Sequence, residues 1–222
     1  MDIKDIKFMN EEVFLLKNSE ITLEDFMRQI QDIKYDECYD LYRTEKDSLV
    51  ENTQFPPVIY AFYSFVFFNK KIPCPEEIVD NYFSLYSGQI EICNKNFIYK
   101  GVEYKKNALI SRILRTYPSL IRDFHFYLLL VNEKCFDKVI YSCKTDIEGK
   151  DIIVKHKGVE YQISLFVKTK RSNFFKEIKN RIRHTYENEI KIPLELKQTE
   201  KHGDFFLYSY RHIDIVKKHI IR

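Results

Sequence analysis

Over the first hundred residues, apolar positions recur mostly at helical spacing. Thr22 stands before LEDFMRQI with Asp25 three residues on. This is the arrangement of a capping box, in which hydroxyl and carboxylate each satisfy a backbone N–H of the other residue. Pro57 and Pro75 each fall where a first helical turn would begin, a position at which a missing N–H loses no useful bond. Helices are therefore predicted over 57–69 and 75–87, with NKKIP as the connector. The run over 58–68 is apolar almost throughout, which marks a buried helix, since a membrane span needs ~20 such residues. Two short runs of strand character follow at 89–93 and 96–99 around the turn Asn94-Lys95, then KGVEY at 100–104. The same five letters return at 157–161 in unrelated surroundings, which reads as one turn chemistry used twice rather than a duplication. Residues 1–104 thus form a mainly helical region whose small hairpin gives it a winged-helix-like character.

From residue 105 the pattern is mixed. Leu109, Ile113 and Leu114 share one helical face, and Pro118 is expected to end that helix and open a second, reaching about 131. The second is apolar nearly all round and should lie in the centre of the core. A strand at 138–142, a hairpin at 150–167, a helix at 173–184, a strand at 204–208 and a helix at 212–220 complete the chain. From Pro118 the order is α-β-β-β-α-β-α.

Alternation sorts the hairpin into two faces. Tyr161, Ile163, Leu165 and Val167 point one way, and Glu160, Gln162, Ser164, Phe166 and Lys168 the other. Ile152 and Val154 make the buried side of the preceding strand, so Asp151 shares the polar face with Glu160, Gln162 and Ser164. The turn decides which of them it meets. A turn centred between His156 and Lys157 sets Asp151 opposite Gln162, whereas one nearer Gly158 moves it opposite Ile163 or Ser164.

Composition narrows the class. Hydrophobic residues make up 45% and charged residues 31% of 222, with only 5 Gly and 6 Pro, as expected of an ordered globular chain without long linkers. The 5 cysteines are scattered in no metal-ligand spacing, which predicts reduced thiols and, with a charged N-terminus, an intracellular, cytoplasmic protein off the membrane. The net charge of +3 is modest but unevenly spread. KTKRSNFFKEIKNRIRH at 168–184 holds a run of Lys and Arg against the single acid Glu177. Its apolar stripe is Phe174, Phe175, Ile178 and Ile182, while Lys176, Lys179 and Arg183 share another face. With Lys168, Lys170 and Arg171 before it and Ser172 as N-cap, this helix start suits a phosphate backbone. Asp123 and His125 lie on the apolar helix, where a core role is the first expectation for the imidazole. No nucleophile elbow or Gly-rich phosphate loop occurs, so serine hydrolases, kinases and dinucleotide enzymes lose support.

The element order, together with Asp151, the intervening IIVKHKGV and then Glu160-Tyr161-Gln162, resembles the PD-(D/E)xK nuclease superfamily over about 117–209. The core of that family is an α-β-β-β-α-β unit with an Asp opening the second strand and a Glu-x-Lys on the third. The resemblance implies an α/β fold of α+β type, its helical N-terminal part followed by a restriction-endonuclease-like core over 105–222. It further implies an endonuclease that hydrolyses DNA in restriction or defence, with Asp151 and Glu160 binding Mg²⁺ or Mn²⁺ and self-association as a homodimer. Gln162 stands where the family usually has Lys, a departure shared by some restriction enzymes of the superfamily. Lys170 is the first substitute amine, ahead of Lys168 and Lys179. The same pattern also fits a nucleic-acid-binding protein that keeps a degenerate nuclease fold without catalysis, or a protein-interaction module.

Overall fold

The computed structural model describes residues 21–37, 45–142, 150–168 and 188–221. It is a mixed α and β structure. Helix α1 (Leu23–Gln31) starts at the expected capping box: Thr22 Oγ1 accepts from Asp25 N at 3.1 Å, and Asp25 Oδ2 accepts from Thr22 N at 3.5 Å. A one-turn α2 (Ser48–Asn52) leads to α3 (Val58–Asn69) and α4 (Pro75–Leu85), the latter with its Pro in the first turn. Strands β1 (Ile90–Cys93), β2 (Asn96–Tyr99) and β3 (Val102–Lys105) form an antiparallel sheet packed by Phe97, Tyr99 and Tyr104 against Phe55.

Helix α5 (Lys106–Asn132) is continuous for 27 residues, so the expected break at Pro118 does not occur. Proline cannot donate to the carbonyl four residues back, and that carbonyl, on Leu114, accepts instead from the Tyr35 hydroxyl at 2.9 Å. A tertiary hydrogen bond thus replaces the missing helical one. At about 1.5 Å per residue the helix is some 40 Å long, and it carries the largest share of the core, including Ile113, Tyr117, Ile121, Phe124 and Phe126.

The main sheet has the order β4-β5-β6-β7: β4 (Lys138–Ile140), β5 (Ile152–His156), β6 (Val159–Val167) and β7 (Glu189–Leu194). The first three are antiparallel neighbours, and β7 runs parallel to β6. Val139, Val154, Ile163 and Ile192 line the core face, as alternation requires. The opposite face also buries Ile140 and Ile153, so it is only partly polar. The fourth strand is not the one expected from sequence. At 204–208 only β9 (Phe205–Phe206) forms, in a short hairpin with β8 (Lys201–His202). The reason lies in Pro193, which argues against a strand until the ladder is seen: β6 amides donate to the carbonyls of Asn188 and Leu194, so the nitrogen of Pro193 faces away from β6.

The β8–β9 turn closes on α1 through Gly203 (φ +56°), where a Cβ would meet the Ile30 carbonyl oxygen at 2.6 Å. Helix α6 (Tyr210–Ile220) then packs Ile213, Val216 and Ile220 inward. Buried apolar residues form one cluster from Ile21 to Ile220. Among the described residues no helix is long and apolar enough to cross a membrane.

Candidate functional site

The β5–β6 turn fixes the geometry of the polar face. Lys157 (φ +49°) and Gly158 (φ +76°) form a two-residue turn with both central residues left-handed, the type whose twist suits a hairpin. Lys100 and Gly101 repeat it between β2 and β3, so the KGVEY recurrence is one turn used twice. With His156 opposite Val159, the register runs Lys155–Glu160, Ile153–Gln162 and Ile152–Ile163. Continued one step, it sets Asp151 at the level of Ser164.

This register separates the two carboxylates expected to share an ion. Glu160 lies four residues along β6 from the Asp151 level, roughly 13 Å at 3.3 Å per residue, and pairs with Lys155 at 3.2 Å on an exposed part of the hairpin. Two carboxylates so far apart cannot ligate one Mg²⁺, whose oxygen ligands sit ~2.1 Å away. Glu160 therefore does not belong to the Asp151 site. Gln162 lies two residues short of the Asp151 level and faces Ile153 across the hairpin and Glu189 on β7.

Asp151 itself stands where β5 begins. Its Oδ2 accepts from Leu165 N at 2.5 Å, so the carboxylate takes the place of a strand carbonyl in the ladder and its orientation is held by the backbone. Beside it, Ser164 donates to Glu189 Oε1 at 2.7 Å, and Lys191 lies 3.4 Å from Glu189 Oε2. Sequence reading missed Glu189 and Lys191 because it missed β7, although Ile190, Ile192 and Leu194 alternate with them.

A second group approaches from the core side. The Tyr208 hydroxyl is buried, and its pKa is driven well above the ordinary value by that burial first, then by the carboxylate of Asp123 on α5; Asp151 adds to the rise and Arg122 opposes it. Asp123 and Asp151 therefore bear on one buried, protonated hydroxyl. Arg122 is itself mostly buried and donates to Ser119 Oγ at 3.1 Å. Tyr208 carried no signal of its own in the sequence, where it reads as the end of a strand. Among the described residues no group of three or more His, Cys, Asp or Glu gathers as a metal cage. Mg²⁺ commonly takes only one or two carboxylates, with water and substrate phosphate filling the remainder.

The remaining expected residues divide simply. Lys168 closes β6, and its amine pairs with Glu195 at 2.7 Å, beyond the end of β7. Lys170, Arg171, Ser172, Lys176, Lys179 and Arg183 lie outside the described residues. His125 is a core residue, its ring 5.3 Å from that of Phe26. Comparison with protein-family models, with curated proteins and with solved structures returns no match for this chain.

Proposed function

We propose that the chain is a divalent-metal-dependent endonuclease of the PD-(D/E)xK type that acts on DNA inside the cell. The observation that supports it most is the place of Asp151: it opens the second strand of a sheet with three antiparallel strands and a parallel fourth, preceded by a long helix. In this reading Asp151 and Asp123 hold Mg²⁺ or Mn²⁺, in place of the pair Asp151 and Glu160. When bound, the ion would neutralise charge on the scissile phosphate and acidify a water.

The chain's own residues contribute orientation and proton placement. The Leu165 N–H fixes one oxygen of Asp151 and with it the direction in which the carboxylate points. Tyr208 keeps its proton at any physiological pH, so its hydroxyl can donate a hydrogen bond but not act as a base by way of the phenolate. Gln162 orients by hydrogen bonding and cannot accept a proton, so the base that takes the water proton must come from elsewhere, Lys170 being the proposed amine. Lys168, Arg171, Ser172, Lys176, Lys179 and Arg183 are proposed to bind the phosphate backbone, and a homodimer is the proposed working form. A non-catalytic DNA-binding protein is the second reading, favoured by Gln162 in the place of Lys and by the remote position of Glu160.

Incubation of plasmid, single-stranded DNA and RNA with the purified chain, with Mg²⁺, Mn²⁺ or chelator, separates the two. Cleavage that chelator abolishes, and that Asp151→Asn and Asp123→Asn each reduce at least ~100-fold while Glu160→Gln does not, is the expected result. Such losses are of the size that removal of a group acting on the reacting phosphate produces. Salt-sensitive binding without cleavage under either metal would establish the second reading instead.

A further inference from the structure

The outer strands of the two larger sheets differ in how they are protected from pairing with another chain. β7 turns Pro193 outward, which has no N–H to offer, and β4 at the opposite edge is three residues long. β3 lies beside α2, whose N-cap Asp47 reaches Lys105 at 3.5 Å. β1 has none of these devices. Its ladder with β2 runs without a bulge from Ile90 to Cys93, and Glu91, Ile92 and Cys93 are all exposed. Cys93 and Asn96 flank the two-residue turn Asn94-Lys95 and exchange hydrogen bonds there, so the N–H and C=O of Ile92 point away from β2. The Ile90 N–H is already taken, by the Tyr86 carbonyl at 2.8 Å. The Ile92 side chain shares a face with the buried rings of Phe97 and Tyr104, yet it is 46% exposed, with no described strand beyond it.

We infer that β1 pairs with β1 of a second copy of this chain, antiparallel and two-fold symmetric about Ile92. In that register the two Ile92 residues exchange both backbone hydrogen bonds, and their exposed side chains meet across the axis. Glu91 falls opposite Cys93 of the second copy and diagonal to its Lys95, within reach of a long side chain. The charged groups of Glu91 and Lys95 make no ion pair or hydrogen bond among the described residues, and symmetry forms their contact twice. The edge is thus complementary to itself, which is what singles out a second copy as the occupant. The neighbouring symmetric registers fit less well. One opposes Glu91 to itself, and the other draws Asn94, left-handed at φ +55°, into the ladder. The inference gives the proposed homodimer its interface and rests on that part of the nuclease reading, whereas the strand chemistry does not depend on catalysis.

So short a strand buries less than a standard interface, and the dimer is expected to be weak and to form reversibly with concentration. Sedimentation equilibrium of the full chain in reducing buffer, from about 10 µM to about 1 mM, should show a monomer–dimer equilibrium. Ile92→Lys sets two ammonium groups across the axis and should weaken association about tenfold or more, while leaving the thermal unfolding transition in place. Glu91→Lys should also weaken it, and Glu91→Lys combined with Lys95→Glu should restore it, which a merely adhesive surface would not do. Under mild oxidation Glu91→Cys should join to Cys93 of the second copy, the two lying at a closely spaced level of the new ladder. A chain that stays monomeric throughout, association that Ile92→Lys leaves untouched, a double swap that restores nothing, or no cross-link to Cys93 overturns the proposal. If the chain dimerises through β1 yet cuts no nucleic acid, the nuclease reading falls and the interface stands. If it cuts nucleic acid as a monomer, the nuclease reading stands and the interface falls.

Discussion

His125 lies in the interior against Phe26, and burial above all, with a smaller contribution from His202, pushes its pKa down to about 3 from an ordinary 6.5. The folded state therefore takes up a proton at this site less readily than the unfolded chain. Between pH 6.5 and pH 3 the unfolded state binds more protons, so stability rises with pH through that window and is lost as pH falls. The loss is about 1.4 kcal/mol per pH unit, or about 2 kcal/mol between about pH 6.5 and about pH 5. Urea denaturation at the two pH values should show a drop of that order for the wild type and a much smaller one for His125→Leu; equal drops would assign the acid sensitivity to other groups. Among single residues, Asp151 was legible because alternation alone puts it on the polar face. Its partner was not, because every level along β6 depends on where a two-residue turn falls. Tyr208 was invisible to pattern, since what distinguishes it is the Asp123 and Asp151 charge brought beside it by the fold.

At the scale of elements, local rules held where the chain satisfies its own backbone and failed where another segment does so. The capping box at Thr22, Pro75 in the first turn of α4 and both Lys-Gly turns are local devices, and each forms as the sequence implies. Pro118 is the opposite case: the break it should cause is absent because Tyr35 reaches in from 79 residues away. Removing that hydroxyl should leave a buried carbonyl unpaired, so Tyr35→Phe is expected to cost about 1–3 kcal/mol. In a Pro118→Ala background the restored N–H can serve Leu114, and the same change should cost distinctly less. A double-mutant cycle by denaturant unfolding measures this directly, and strictly additive effects would refute the compensation. The fourth strand shows the same dependence on context, because Pro193 forbids an inner strand and permits an outer one.

Across the whole molecule, the mixed α and β class and the helical first half were legible from hydrophobic period, whereas the path of the chain through the main sheet was not, since it turns on one parallel pairing. That pairing also has a consequence in time. The β5–β6 hairpin closes through a two-residue turn, but Gln162 meets Glu189 across 27 residues of chain, and closure of a long loop has a larger entropic barrier than a tight turn. Assembly should therefore be ordered within a single strand. The amides of Gln162 and Lys168 donate to the Asn188 and Leu194 carbonyls, whereas odd-numbered amides of β6 face β5 and, at Leu165, Asp151. In a pulse-labelling exchange experiment during refolding, the amides of Tyr161 and Ile163 should gain protection before those of Gln162 and Lys168; simultaneous protection would mean that the hairpin has no independent life. The outer strand that brings Glu189 to the Asp151 end is thus the last piece to arrive, and an incompletely folded chain would expose a bare β6 edge open to pairing with another chain.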